Sequence, residues 1–225
     1  MTNMLSQVGG LVASPPRQPA KWRQGEHVII IGDTGSGKTY LESKLLDMRD
    51  HVIVVKTKPD DIKFAGFQKI RKASDIMDLK FRRFVLDSGF DPNLQNHNIR
   101  QAIAMAWRQE GWTIAVDETY YWTSVLRLEK QLNMLLTQGR SKHLTIVAGM
   151  QRPAWISRFA LSQATHAFIF RCEGRDLTTL SQALSPKVVG PVEGLRGHDF
   201  VYFNRATREV VTGNANRLGE IITRG

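Results

Sequence analysis

His27-Val28-Ile29-Ile30-Ile31-Gly32-Asp33-Thr34-Gly35-Ser36-Gly37-Lys38-Thr39 is the stretch on which the reading of this chain turns. Its β-branched run has the composition of a strand buried on both faces. Gly32, four residues, then Gly37-Lys38-Thr39 reproduces the full Walker A spacing. Gly32, Gly35 and Gly37 let the backbone turn tightly enough for successive N–H groups to face phosphate oxygens. A helix opening near Lys38 adds the positive end of its dipole to the same anion site. The spacing therefore predicts that Gly32, Asp33, Thr34, Gly35, Ser36, Gly37, Lys38 and Thr39 cradle the phosphates of a nucleotide. Lys38 is expected on the β- and γ-phosphates and the Thr39 hydroxyl on Mg²⁺.

Downstream, Leu41, Leu45 and Met48 recur at helical spacing, and His51-Val52-Ile53-Val54-Val55 reads as a second strand buried on both faces. Short apolar runs at 84–87, 112–116, 144–148 and 167–170 read as further strands. Helical patterns separate several of them: Ile99, Ile103 and Trp107 behind an Asn98 cap, Leu128 to Leu136, Trp155 to Leu161, and Leu177 to Leu184. Phe200 and Tyr202, then Val210 and Val211 across a polar turn, suggest a C-terminal β-hairpin. Alternating strands and helices predict an α/β domain with a mostly parallel central sheet flanked by helices. Residues 1–25, rich in Ser, Gly, Gln and Pro, read as a flexible arm or extended strap made basic by Arg17, Lys21 and Arg23. Residues 26–225 read as one domain.

The net charge is +10 and the isoelectric point about 10.0, a balance that favours a polyanionic partner, nucleic acid first and an acidic membrane surface second. One cysteine, Cys172, excludes an intramolecular disulfide. No apolar run reaches the length of a membrane span, and the N-terminus lacks a signal-peptide pattern. The expectation is an intracellular protein that is not itself transmembrane.

Phosphate binding is not hydrolysis, which requires a carboxylate at a strand end beside the loop. Asp87 ends a short apolar strand but is followed by Ser88. Asp117 ends a longer one and is followed by Glu118. The pair suits the chemistry: Asp117 for the Mg²⁺ shell, Glu118 as general base toward an attacking water. Gln151 ends the next strand, where open α/β sheets place ligand-binding groups; it reads either as a γ-phosphate sensor or as an ordinary polar loop residue. Arg140 either offsets a helix dipole or supplies its charge to a neighbouring active site. Lys69, Arg71, Lys72, Arg82 and Arg83 form a basic run suited to DNA phosphates or to a solvated face. Tyr120, Tyr121 and Trp122 suit stacking or plain packing.

Gly139-Arg140-Ser141-Lys142-His143-Leu144-Thr145-Ile146-Val147-Ala148-Gly149-Met150-Gln151-Arg152-Pro153 resembles the Gly-Arg, strand, Gln-Arg-Pro segment of the FtsK–HerA superfamily of DNA-pumping ATPases. The Walker A loop and the Asp117-Glu118 pair stand in the same order, and the resemblance runs from about Val28 to about Leu184. It implies a RecA-like core that assembles as a ring, usually a hexamer, and drives double-stranded DNA through its pore without reading sequence. It casts Glu118 as base, Gln151 as γ-phosphate sensor and Arg140 as a trans arginine finger, with Arg152 a second candidate at the subunit interface. The short flanks resemble the bare cores of genome-packaging ATPases from tailless icosahedral viruses with internal membranes. The function so implied is an ATP-hydrolysing DNA translocase in the host cytoplasm, virion-associated, and docked on a capsid or membrane partner. ATP is expected over GTP from the resemblance and the lack of an Asn-Lys-x-Asp segment. A filamentous-phage-type assembly ATPase, an ATP-gated scaffold that moves nothing, and a small-molecule kinase are the alternatives. The kinase lacks an arginine-rich lid to support it.

Overall fold

The computed structural model describes residues 18–57, 64, 66–77 and 82–225. Its centre is a nine-stranded sheet built from the buried runs. β2 (Val28–Ile31) and β7 (Thr145–Met150) lie mid-sheet, with β6 (Thr113–Val116), β3 (Val52–Val55), β5 (Arg83–Leu86) and β4 (Gln68–Ile70) to one side and β8 (His166–Ile169) to the other. All of these pair in parallel. β9 (Asp199–Asn204) and β10 (Val210–Asn214) close that side as the expected antiparallel hairpin, β9 pairing with β8.

Alternation along each strand sends its side chains to two separate cores. Ile29, Ile31, Ile53, Val55, Ile114, Val116 and Ile146 face one cluster. It is covered by helices α2 (Pro92–Gln109), α3 (Glu129–Gln138), α4 (Arg158–Gln163), α5 (Arg175–Ala183) and α6 (Val189–Glu193). Val28, Ile30, Val52, Val54, Ala115 and Val147 face the other, covered by α1 (Lys38–Leu46) and by a second, two-stranded sheet. That small sheet pairs β1 (Ala20–Trp22) in parallel with β11 (Ile222–Arg224).

The small sheet corrects the boundary of the arm. Residues 1–17, Arg17 among them, lie outside the described part, but residues 20–22 belong to the body. Trp22 is fully buried, its ring lies 3.8 Å from the Arg49 guanidinium, and its carbonyl accepts from Arg49 Nη2 at 2.9 Å. A bulky aromatic near the end of a polar, proline-rich stretch buries enough apolar surface to order the backbone around it. The start of α2 is corrected too. Asp91 Oδ1 accepts from the Asn93 N–H at 2.9 Å and Pro92 opens the helix, so it begins six residues before Asn98. Asn98 is instead buried at mid-helix. The Tyr120–Trp122 trio divides between roles. Trp122 is buried, Tyr121 donates its hydroxyl to Gln95 Oε1 at 2.8 Å, and Tyr120 remains exposed against Trp155.

Candidate active site

Parallel strands deliver their carboxyl ends to one edge of the sheet, and the predicted chemistry gathers there with the exception of Arg140. The loop leaving β2 is held between its neighbours: the Gly32 N–H donates to the Met150 carbonyl at 3.1 Å, and the Phe170 N–H to the Ile31 carbonyl at 2.7 Å. Gly32 is required by crowding, since a Cβ there would sit 2.6 Å from Phe170 Cβ. Gly37 takes φ +103° as it turns the chain into α1. Having no side chain, it leaves the first α1 N–H groups to a ligand. Lys38 folds back on the loop, donating from Nζ to the Gly32 and Asp33 carbonyls at 2.6 and 2.7 Å.

Lys38, Thr39 and Asp117 line one cavity of about 230 Å³ together with Thr34, Gly35 and Gly149. Asp117 Oδ1 accepts from the Thr57 hydroxyl at 2.6 Å, and Thr57 follows β3 on the next strand over. Thr57 was not among the sequence candidates, because nothing local marks a threonine after a strand as a partner for an aspartate sixty residues on. Gly149 lets β7 press against the backbone that carries this carboxylate: a Cβ there would lie 2.6 Å from the Asp117 carbonyl oxygen. The Thr119 hydroxyl donates to the Gly149 carbonyl at 2.8 Å, closing the corner.

Glu118 and Gln151 meet directly, Gln151 Nε2 donating to Glu118 Oε2 at 2.9 Å. Beyond Gln151, Arg152 Nη1 donates to the buried Asp176 carboxylate at 3.0 Å, which also accepts from the Ala154 N–H at 3.2 Å. Asp176 thereby pins the loop that carries Gln151, and its hydrogen bond, then its charge, holds the Arg152 pKa above the ordinary arginine value. Cys172 is buried, and burial pushes its thiol up to about 12.

A second cavity of about 460 Å³ opens beside the loop. Tyr40, Phe170, His198, Asn214 and Asn216 line it, His198 Nδ1 lies 3.1 Å from the Ser36 carbonyl oxygen, and the Tyr40 hydroxyl donates to Asn216 Oδ1 at 2.9 Å. Adjoining Gly37 and Lys38, with aromatic walls and amide groups, it has the character of a nucleobase pocket. Sequence reasoning missed these residues because they come from three distant segments with no shared motif.

Arg140 lies elsewhere. It belongs to the short turn Gly139–Lys142 that precedes β7, at the amino edge of the sheet, and is exposed. At about 3.3 Å per residue, β7 separates it from Gln151 by roughly 17 Å. Within one chain, Arg140 does not reach the phosphate loop.

Four oxygen-bearing side chains line the cavity beside the loop, Thr34, Thr39, Glu42 and Asp117; the Thr39 hydroxyl and the Asp117 carboxylate among them are hard donors of the kind Mg²⁺ accepts. Among the described residues no group of three or more His, Cys, Asp or Glu forms a metal cage. A hydroxyl and a carboxylate beside a phosphate cradle suit an ion that shares its shell with phosphate oxygens and water.

The chain is 26% identical over 196 residues to the DNA packaging ATPase P9 of Enterobacteria phage PRD1, spanning 80% of this chain and 82% of that protein. It shares its fold with the genome packaging NTPase B204 of Sulfolobus turreted icosahedral virus 2, solved with ATP-gammaS. The TM-score is 0.66 at 17% identity, covering 84% of this chain and 96% of that one. The DNA-packaging ATPase B204 of Sulfolobus turreted icosahedral virus superposes with a TM-score of 0.67 at 19% identity, covering 84% and 97%. No protein-family model matches. The architecture is that of a P-loop NTPase, and the expected α/β fold with its parallel sheet stands.

Proposed function

From this likeness to viral genome-packaging ATPases in sequence and fold, we propose that the chain is an ATP-hydrolysing, double-stranded-DNA-translocating motor that packages a viral genome. The observation that carries the reading is the carboxyl-edge constellation. Lys38, Thr39 and Asp117 share one cavity, and the Glu118–Gln151 hydrogen bond joins the ends of β6 and β7, the second of which pairs with the strand that carries the loop.

The residues act as follows. The backbone amides of Gly35 to Thr39 and the α1 dipole bind the ATP phosphates, and the Lys38 ammonium exchanges its two loop carbonyls for β- and γ-phosphate oxygens. Thr39 and Asp117 would hold Mg²⁺, which when bound would neutralise phosphate charge. Glu118 accepts the proton of the attacking water as its oxygen bonds to the γ-phosphorus and the bond to the β,γ-bridging oxygen breaks, leaving ADP and phosphate. Gln151 turns its amide from Glu118 to the γ-phosphate, so the base is released when ATP is in place.

Arg140, on the opposite edge, serves a second copy. A head-to-tail contact sets the amino edge of one subunit against the carboxyl edge of the next, and such a contact closes as a ring, here taken as a hexamer. The reading locates the protein in the host cytoplasm, associated with the virion, with a capsid or membrane partner holding the ring. Among the described residues no helix is long and apolar enough to cross a membrane.

ATP turnover with and without duplex DNA tests the proposal. Duplex DNA is expected to stimulate it, and Arg140→Ala subunits mixed with wild type are expected to lower the rate more than in proportion to their share. Negligible turnover in both conditions overturns the motor reading in favour of an ATP-gated scaffold. A strictly proportional loss overturns the trans role of Arg140.

A further inference from the structure

The basic run between residues 69 and 83 is continuous in sequence, but the fold divides it between opposite edges of the sheet. Arg82 and Arg83 stand at the amino end of β5. There the Arg83 guanidinium is engaged with the end of α1, donating to the Asp47 carbonyl at 3.0 Å and to the Arg49 carbonyl at 3.1 and 2.7 Å. Lys69 lies in β4, and Arg71 and Lys72 follow it at the carboxyl end. The register, Lys69 opposite Val85 and Ile70 opposite Leu86, sets them beside residues 87–89. Lys58, Lys63 and Lys80 lie outside the described residues.

These three cations line a groove of about 720 Å³ together with Asp87, Gly89 and Leu94. Its floor is built from buried polar contacts. Asn98, itself buried, donates from Nδ2 to the Arg71 carbonyl and to Ser88 Oγ, both at 3.1 Å, and Ser88 Oγ donates to the same carbonyl at 3.4 Å. The Asp87 N–H donates to the Ile70 carbonyl at 2.9 Å. The backbone of the basic turn is thus tied down while the Lys69, Arg71 and Lys72 side chains stay exposed.

Among the described residues none of the three cations is in an ion pair. The carboxylate within the groove, Asp87, faces Lys56 Nζ at 3.2 Å, and Asp75 accepts from the Lys72 backbone N–H at 3.2 Å. At the rim Phe90 is 80% exposed and Leu94 44%. Fixed cations spread along an open groove, with apolar surface beside them, match a sugar-phosphate backbone better than a small anion, which needs donors converging on one point.

The groove also adjoins the nucleotide site. Lys56 and Thr57 are consecutive residues leaving β3: the first reaches Asp87 in the groove, the second Asp117 beside the phosphate loop.

We infer that this groove, at the carboxyl edge of β4 and β5, is the track that grips the phosphate backbone of duplex DNA through Lys69, Arg71 and Lys72. The inference rests on the motor reading. The test is equilibrium binding of the full chain to a labelled duplex across a range of salt concentrations. Each phosphate contact contributes about 0.9 to the slope of log affinity against log salt, so Lys69→Gln, Arg71→Gln and Lys72→Gln together remove about 2.7. Arg82→Gln, at the other edge, keeps the wild-type slope. The charge-retaining combination Lys69→Arg, Arg71→Lys and Lys72→Arg also keeps it, separating lost charge from lost fold. An unchanged slope in the triple glutamine variant, with wild type binding duplex, overturns the groove and leaves the motor reading standing. Failure of the wild type to bind duplex at any salt overturns both.

Discussion

Gly149→Ala probes how closely the two strands that carry the candidate catalytic groups must approach. The new methyl would sit 2.6 Å from the Asp117 carbonyl oxygen and 3.3 Å from that of Val116, whereas ordinary contact begins at 3.4 Å. The obstacle is backbone on a neighbouring strand, which cannot rotate aside as a side chain would. β7 and β6 must therefore separate at their carboxyl ends by about 0.8 Å, the difference between those two distances. Overpacking of this kind costs about 1–3 kcal/mol. In a domain of this size that is a fall in melting temperature of roughly 2–12 °C. The displacement falls on Asp117 and, through the next residue, on the Glu118–Gln151 hydrogen bond. A shift approaching 1 Å in positioned groups costs on the order of a hundredfold in rate. The assay pairs a thermal melt with steady-state ATP turnover. Gly219→Ala serves as the reference, because its methyl would meet nothing within 4 Å. A Gly149→Ala protein that melts with the wild type and turns over within twofold of it would refute the reasoning.

Three further outcomes are expected. Glu118→Gln retains ATP binding, read with a fluorescent nucleotide, and lowers turnover by about 10²- to 10⁴-fold; loss of binding in parallel with turnover would show that Glu118 is not a base. Trp22→Ala destabilises the fold by about 3–5 kcal/mol in urea unfolding, because the ring is fully buried under the Arg49 guanidinium. A change below about 1 kcal/mol would mean that β1 is a dispensable strap. His27 governs an acid limb of stability. Burial lowers its pKa from 6.5 to about 4 while its Nδ1 accepts from the Ile146 N–H at 3.1 Å. Between those values the unfolded chain binds a proton that the folded one does not, so stability is full above pH 6.5 and falls as the pH drops toward 4. The loss is at most about 3 kcal/mol. His27→Asn should flatten that limb in denaturant midpoints measured across the range, and an unaltered limb would assign it to other groups.

Much of what gathers at the candidate catalytic edge was legible in the residues alone, and the reason is locality. A strand, a glycine turn and a helix start lie within thirteen consecutive residues, so the phosphate loop is defined by short-range sterics. Apolar runs that end in Asp117 and Gln151 announce strand ends, and parallel strands collect their carboxyl ends on one side. The Asp91-Pro92 start of α2 was also present as a local signal, an acidic cap before a proline, but the Asn98 reading overlooked it.

What tertiary structure alone decided concerns groups that meet across long stretches of chain. The 2.9 Å contact of Glu118 with Gln151, the Thr57 hydroxyl on Asp117 and the cavity walled by Tyr40, Phe170, His198 and Asn216 each depend on strand order and register. No spacing in the sequence encodes these. The same holds for the separations: the edge of the sheet on which Arg140 stands, and the parting of Arg82 from Lys69, follow from where a strand begins and ends. The local pattern therefore marked the residues proposed to carry phosphate chemistry. Pairing between strands determined which of them touch, because side-chain contact is set by register across the sheet and not by distance along the chain.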